Sequence, residues 1–75
     1  MTEYENYGGN SNVVAYEIGY DYIDVRFAGG SVYRYSYYSA GEENVETMKE
    51  LAISGSGLNS YIMRRCRTLY ERKIR

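Results

Sequence analysis

The sequence contains no histidine, no tryptophan, no proline and only one cysteine. Without histidine, the usual general base and the commonest zinc ligand are missing. The lone Cys66 admits no internal disulfide, which fits a reducing compartment. The carboxylates are scattered, so no metal-ligating set is expected, and no Cys–His or Ser–His pair exists for nucleophilic or acid–base chemistry. These absences argue against an enzyme and against a bound cofactor. No apolar run approaches the roughly 20 residues that span a bilayer. The first ten residues, MTEYENYGGN, lack the basic and apolar stretches of a secretory signal. The expectation is a cytoplasmic protein without a membrane partner.

Leucine occurs only at Leu51, Leu58 and Leu69 and phenylalanine only at Phe27, whereas tyrosine occurs 11 times in 75 residues. A chain of this length forms one domain and buries only about 60% of the surface its unfolded form exposes. Tyrosine must therefore supply core volume, its ring buried and its hydroxyl reaching a partner at the edge.

Residues 1–10 are polar and aperiodic, and a flexible tail is expected there, followed by a single domain over 11–75. From Ser11 to about Tyr38 the pattern has period two. Val14, Tyr16, Ile18 and Tyr20 alternate with Val13, Ala15, Glu17 and Gly19; Ile23, Val25 and Phe27 alternate with Tyr22, Asp24 and Arg26. Gly29-Gly30 supplies the positive φ of a tight hairpin. Tyr33, Tyr35 and Tyr37 then share one face of a third strand. Two roles compete for those rings: a core stripe under helices, which the pattern favours, or an exposed platform for stacking bases.

Helical signals follow. Ser39 and Glu42 have the spacing of a capping box, and Val45, Met48, Leu51 and Ala52 recur at helical intervals. Ser54-Gly55-Ser56-Gly57 breaks that helix. A second begins near Gly57, with Leu58, Tyr61, Ile62, Cys66 and Leu69 as its apolar stripe. The expected fold is α+β, a three-stranded antiparallel meander followed by two helices packed on one face.

Several segments, in order, resemble the KTSC domain, a bacterial module of about 60 residues named for the C-terminal region of lysyl-tRNA synthetases. They are Ser11-Asn12-Val13, Ile23-Asp24-Val25-Arg26-Phe27, Gly30-Ser31-Val32-Tyr33-Arg34-Tyr35, Ser54 and Gly57 with Leu58-Asn59, and then Ile62 and Tyr70. The Val-Pro usual after the third strand of that family is absent. The resemblance implies a domain of unknown function for which the synthetase connection suggests RNA binding.

The net charge of −1 conceals an asymmetry. Residues 1–63 carry three basic and nine acidic side chains, giving −6; residues 64–75 carry six basic and one acidic, giving +5. Arg64, Arg65, Arg67, Arg72 and Lys73 are therefore candidates for phosphate contacts from a basic C-terminal helix, with Tyr70 as a stacking ring. Arg26 and Arg34, expected side by side on the open face of the sheet, are second-rank candidates. The bland reading is that the cations favour a helix C-terminus and pair with the acidic remainder. A Gly-Ser loop before a helix suits an anion, but this one lacks the lysine and spacing of a P-loop, so a turn is expected, with Asn59 fixing its path. The leading expectation is a binding module for RNA or single-stranded nucleic acid. The rival is a protein-interaction or accessory domain, homo-oligomeric through a strand edge.

Overall fold

The computed structural model describes residues 1–9 and 11–75. In chain order the elements are β1 (Thr2–Glu3), β2 (Val13–Ile18), β3 (Tyr22–Phe27), β4 (Val32–Ser36), α1 (Tyr37–Ala40), α2 (Glu42–Ser54) and α3 (Leu58–Tyr61). A π-helical segment (Ile62–Cys66) continues α3, and β5 (Arg72–Lys73) ends the series. The strands form one antiparallel sheet in the order β1-β2-β3-β4-β5. The α+β class is as expected, but the sheet has five strands where three were expected.

The β3–β4 hairpin follows its pattern. Ile23 pairs with Tyr35 and Val25 with Tyr33, so these four share the helix-covered face. Gly30 takes φ +98° in the turn, where the Phe27 N–H also reaches the Ser31 carbonyl. β2 departs from simple alternation. Val13 pairs with Phe27 and Ala15 with Arg26, so Val14 is the extra residue of a bulge. The bulge turns both Val13 and Tyr16 towards the helices and leaves Val14 exposed. β4 also stops earlier than expected. Ser36 and Ser39 cap α1 reciprocally, side chain to backbone in both directions, in place of the expected Ser39–Glu42 box. Tyr37 therefore lies in α1 and not on the strand, and its hydroxyl donates to Glu46.

The core lies between the sheet and the helices. Val13, Ile23, Val25 and Tyr35 meet Val45, Met48, Ala52, Leu58, Ile62 and Cys66, all essentially buried. Burying one such aliphatic side chain contributes roughly 1.5–3 kcal/mol. In an α-helix, residues four apart drift forward around the axis; the wider π turn brings them back. Leu58, Ile62 and Cys66 thus all stay on the core side.

Both ends of the chain join the sheet. Thr2 and Glu3 pair with Tyr16 and Ala15, Tyr4 is buried in the core, and the Tyr7 N–H donates to the Gly55 carbonyl at 2.8 Å. Within the segment expected to be a flexible tail, Thr2–Tyr4 and Tyr7 thus contact the rest of the domain, while Gly8 and Gly9 are exposed; Asn10 lies outside the described residues. The basic segment, expected to be a C-terminal helix, is helical only to Cys66 and ends as strand β5. The edge of β4 would otherwise present bare backbone groups. The chain turns after Cys66, and the Glu71 and Ile74 N–H groups donate to the Arg34 and Val32 carbonyls. Among the described residues, no helix is long and apolar enough to cross a membrane.

Candidate nucleic-acid interface

A groove of about 410 Å³ opens at one end of the core, between the β3–β4 hairpin and the π-helical segment. Its size lies within the range of ordinary ligand sites. Period two in β3 and β4 delivers Phe27, Tyr33 and Tyr35 to its floor. Helical spacing delivers Asn59, Met63 and Arg67, a stripe running one residue ahead of the core stripe Leu58, Ile62 and Cys66. Tyr70, in the turn before β5, closes the side.

The rings form an edge-to-face series. Phe27 and Tyr33 lie 5.9 Å apart, Tyr33 and Tyr70 4.7 Å, and Tyr35 and Tyr70 6.4 Å. Such contacts fix ring orientation beyond simple burial. Tyr70 keeps 41% of its surface exposed, so it is available to a ligand. Tyr35 is only 2% exposed, but among the described residues no enclosed side-chain polar atom is left without a partner, so its hydroxyl, which makes no hydrogen bond to protein, opens to the solvent of the groove. Burial pushes that hydroxyl well above the ordinary tyrosine range, so it stays a neutral donor and acceptor. A ligand in the groove could meet that hydroxyl in place of water. The groove combines aromatic rings, tyrosine and serine hydroxyls, two amides (Asn12 and Asn59) and one cation, Arg67.

The candidates from the sequence are dispersed. Arg67 and Tyr70 share the groove. Arg64 and Arg65 are exposed on the π-helical segment, where they border a separate shallow depression with Asn44. Arg72 pairs opposite Arg34 and Lys73 opposite Tyr33, so the two lie on opposite faces of the sheet. Arg34 is held in a two-point ion pair with Asp24, at 2.8 and 3.0 Å, and its guanidinium lies 3.9 Å over the Tyr22 ring. The hydrogen bond to Asp24 raises its pKa further. Its Nε and one terminal nitrogen are thus taken by Asp24 and one of its faces by Tyr22, so much of its capacity for a phosphate is already used. Arg26 is exposed on the open face, away from the groove.

Cys66 is fully buried, and burial pushes its thiol up, which marks it as an inert core residue. The Gly-Ser loop works as a helix stop: Gly55 at φ +79° returns its N–H to the Leu51 and Ala52 carbonyls. Asn59 was expected to tie that loop, but among the described residues its side chain makes no hydrogen bond, and it lines the groove. Asn12, Asn59 and Met63 were missed as lining residues. The signal for two of them was present, because Asn59, Met63 and Arg67 recur at intervals of four. Among the described residues, no group of three or more Cys, Asp or Glu is placed to hold a metal ion.

Comparisons of the chain with protein-family models, curated proteins and solved structures find no match in any of the three.

Proposed function

We propose that this protein is a non-enzymatic module that binds single-stranded nucleic acid, with one base held in the groove. The observation that carries this reading is the groove itself, lined by the edge-to-face rings Phe27, Tyr33 and Tyr70 with Arg67 beside them. Tyr70 would stack the base, and Arg67 at the same groove would meet the adjoining phosphate. Arg64 and Arg65 extend the positive surface along the strand's exit. The resemblance to the KTSC domain, with its synthetase connection, points the same way.

Three arginines imply a modest electrostatic share. Three phosphate contacts on a single strand give a log–log salt slope of roughly −2. Stacking contributes about 1–3 kcal/mol per base. The test is fluorescence anisotropy of labelled single-stranded RNA and DNA at two salt concentrations. Binding that weakens about 5- to 150-fold in Tyr70→Ala, and also drops in Arg67→Gln, supports the reading. Unchanged binding in both variants, or no binding at low salt, refutes it.

A second reading rests on a separate observation. Tyr20 and Tyr38 are 91% and 94% exposed. Tyrosine is enriched in protein interfaces, so this corner supports a protein-interaction role. Light scattering that reports a single copy at high protein concentration would remove its homo-oligomeric form.

A further inference from the structure

A second cleft, of about 250 Å³, lies beside the aromatic groove. The two share Asn59, and they are joined again through consecutive residues: Ser11 lines the cleft and Asn12 the groove. The cleft's character is different. Its walls carry Tyr4, Asn6, Ser11, Ser56, Asn59 and Ser60, with no cation, carboxylate or aliphatic side chain. It suits neither phosphate nor metal. It is also smaller than an ordinary ligand pocket, so it takes a fragment of a ligand and not a whole one.

Its polar groups have capacity left. Tyr4 is only 4% exposed; its oxygen accepts from the Leu58 N–H at 3.2 Å, and its own proton has no acceptor among the described residues. The Ser11 hydroxyl oxygen accepts from the Val13 N–H at 3.0 Å, which leaves its O–H to donate. The Asn6 carbonyl oxygen accepts from the Ser11 N–H at 3.2 Å, which leaves its NH₂ group. The Ser60 hydroxyl and the Asn59 amide make no side-chain hydrogen bond among the described residues and can donate or accept. This pattern fits a group that is itself both donor and acceptor.

Resting on the nucleic-acid reading above, we infer that this cleft holds the ribose of the nucleotide whose base occupies the groove. Asn59 stands between base and sugar, and the 2′-hydroxyl enters the cleft. The site then selects RNA over DNA, because the 2′-hydroxyl is the group by which a protein tells them apart. Removing it leaves the buried Tyr4 donor and its neighbours without a partner, a loss of about one net hydrogen bond or about tenfold in affinity.

The experiment compares three labelled strands of one sequence: RNA, DNA and 2′-O-methyl RNA, the last keeping the oxygen but losing the proton. RNA is expected to bind about tenfold tighter than DNA, with the 2′-O-methyl strand close to DNA. Ser60→Ala and Tyr4→Phe should narrow the RNA-to-DNA ratio. Because Tyr4 is buried, circular dichroism melts of each variant separate a lost contact from a lost fold, and the exposed Ser60 supplies the variant least exposed to that problem. Equal affinity for all three strands overturns the ribose inference and leaves the nucleic-acid reading standing. No binding to any strand overturns both.

Discussion

The two faces of the sheet are stabilised in different ways. The helix-covered face buries Ile23, Val25 and Tyr35 against Met48, Leu58 and Ile62, a non-directional apolar contact. The open face has no such cover. It centres on Asp24, buried to 6% exposure and clamped by Arg34, with Tyr22 beneath the guanidinium. The contrast shows how this chain uses its charge and its tyrosines. Arg34 and Tyr22 hold the sheet, whereas Arg67 and Tyr70, on the rim of the covered face, are free to meet a ligand. Similar residue types have different work because of the face on which strand or helix places them.

The largest effects should come from the covered face. Ile62→Ala or Met48→Ala is expected to lower unfolding stability by about 2–5 kcal/mol in urea titration, from lost burial and the cavity left behind. On the open face, Asp24→Ala strands the Arg34 guanidinium. Its side chain keeps 24% exposure, so the cost should fall between that of a surface pair and a buried one, roughly 1–3 kcal/mol. A loss matching that of Ile62→Ala would break the comparison. At the seam between the helices and the N-terminal segment, Gly55→Ala meets two obstacles. Its φ of +79° disfavours any Cβ, and that atom would lie 2.6 Å from the Glu5 Cβ. Thermal melts should show a loss of about 1–2 kcal/mol.

The smallest effect is a pH dependence. The Tyr37 hydroxyl, donating to Glu46, is pushed up to about 12, and burial raises Tyr35 as well. Both folded values exceed the ordinary tyrosine value, so their contribution is fully present below about pH 10 and is lost as pH rises through the raised values. Chemical denaturation at increasing pH should show that decline. In Tyr37→Phe it should be shallower but still present, because Tyr35 remains.

How much of this was legible follows from periodicity. Ile23, Val25 and Phe27 against Asp24 and Arg26, with Gly29-Gly30 after them, gave the hairpin. Val45, Met48 and Ala52 gave α2. The strands β1 and β5 were not legible, because two-residue edge strands have no period of their own. They form because β2 and β4 present free backbone groups. The bulge at Val14 was hidden as well, since one extra residue reverses a face without changing composition. At the site, Arg67 and Tyr70 were readable as cation and ring. Arg72 and Lys73 were misplaced because a charge run says nothing about whether its backbone is helix or strand. Asn59 and Met63 were on a readable stripe that lies beside a stronger apolar one.

The most direct test of the central claim, that the groove and not the open face of the sheet is the binding surface, is an amide chemical-shift titration with a short single-stranded oligonucleotide. The account predicts a contiguous set of shifts at Asn12, Ser31, Asn59, Met63, Arg67 and Tyr70, with Arg26, Arg34 and Arg72 unmoved. Shifts centred on Arg26, Arg34 and Arg72, with the groove silent, would contradict it.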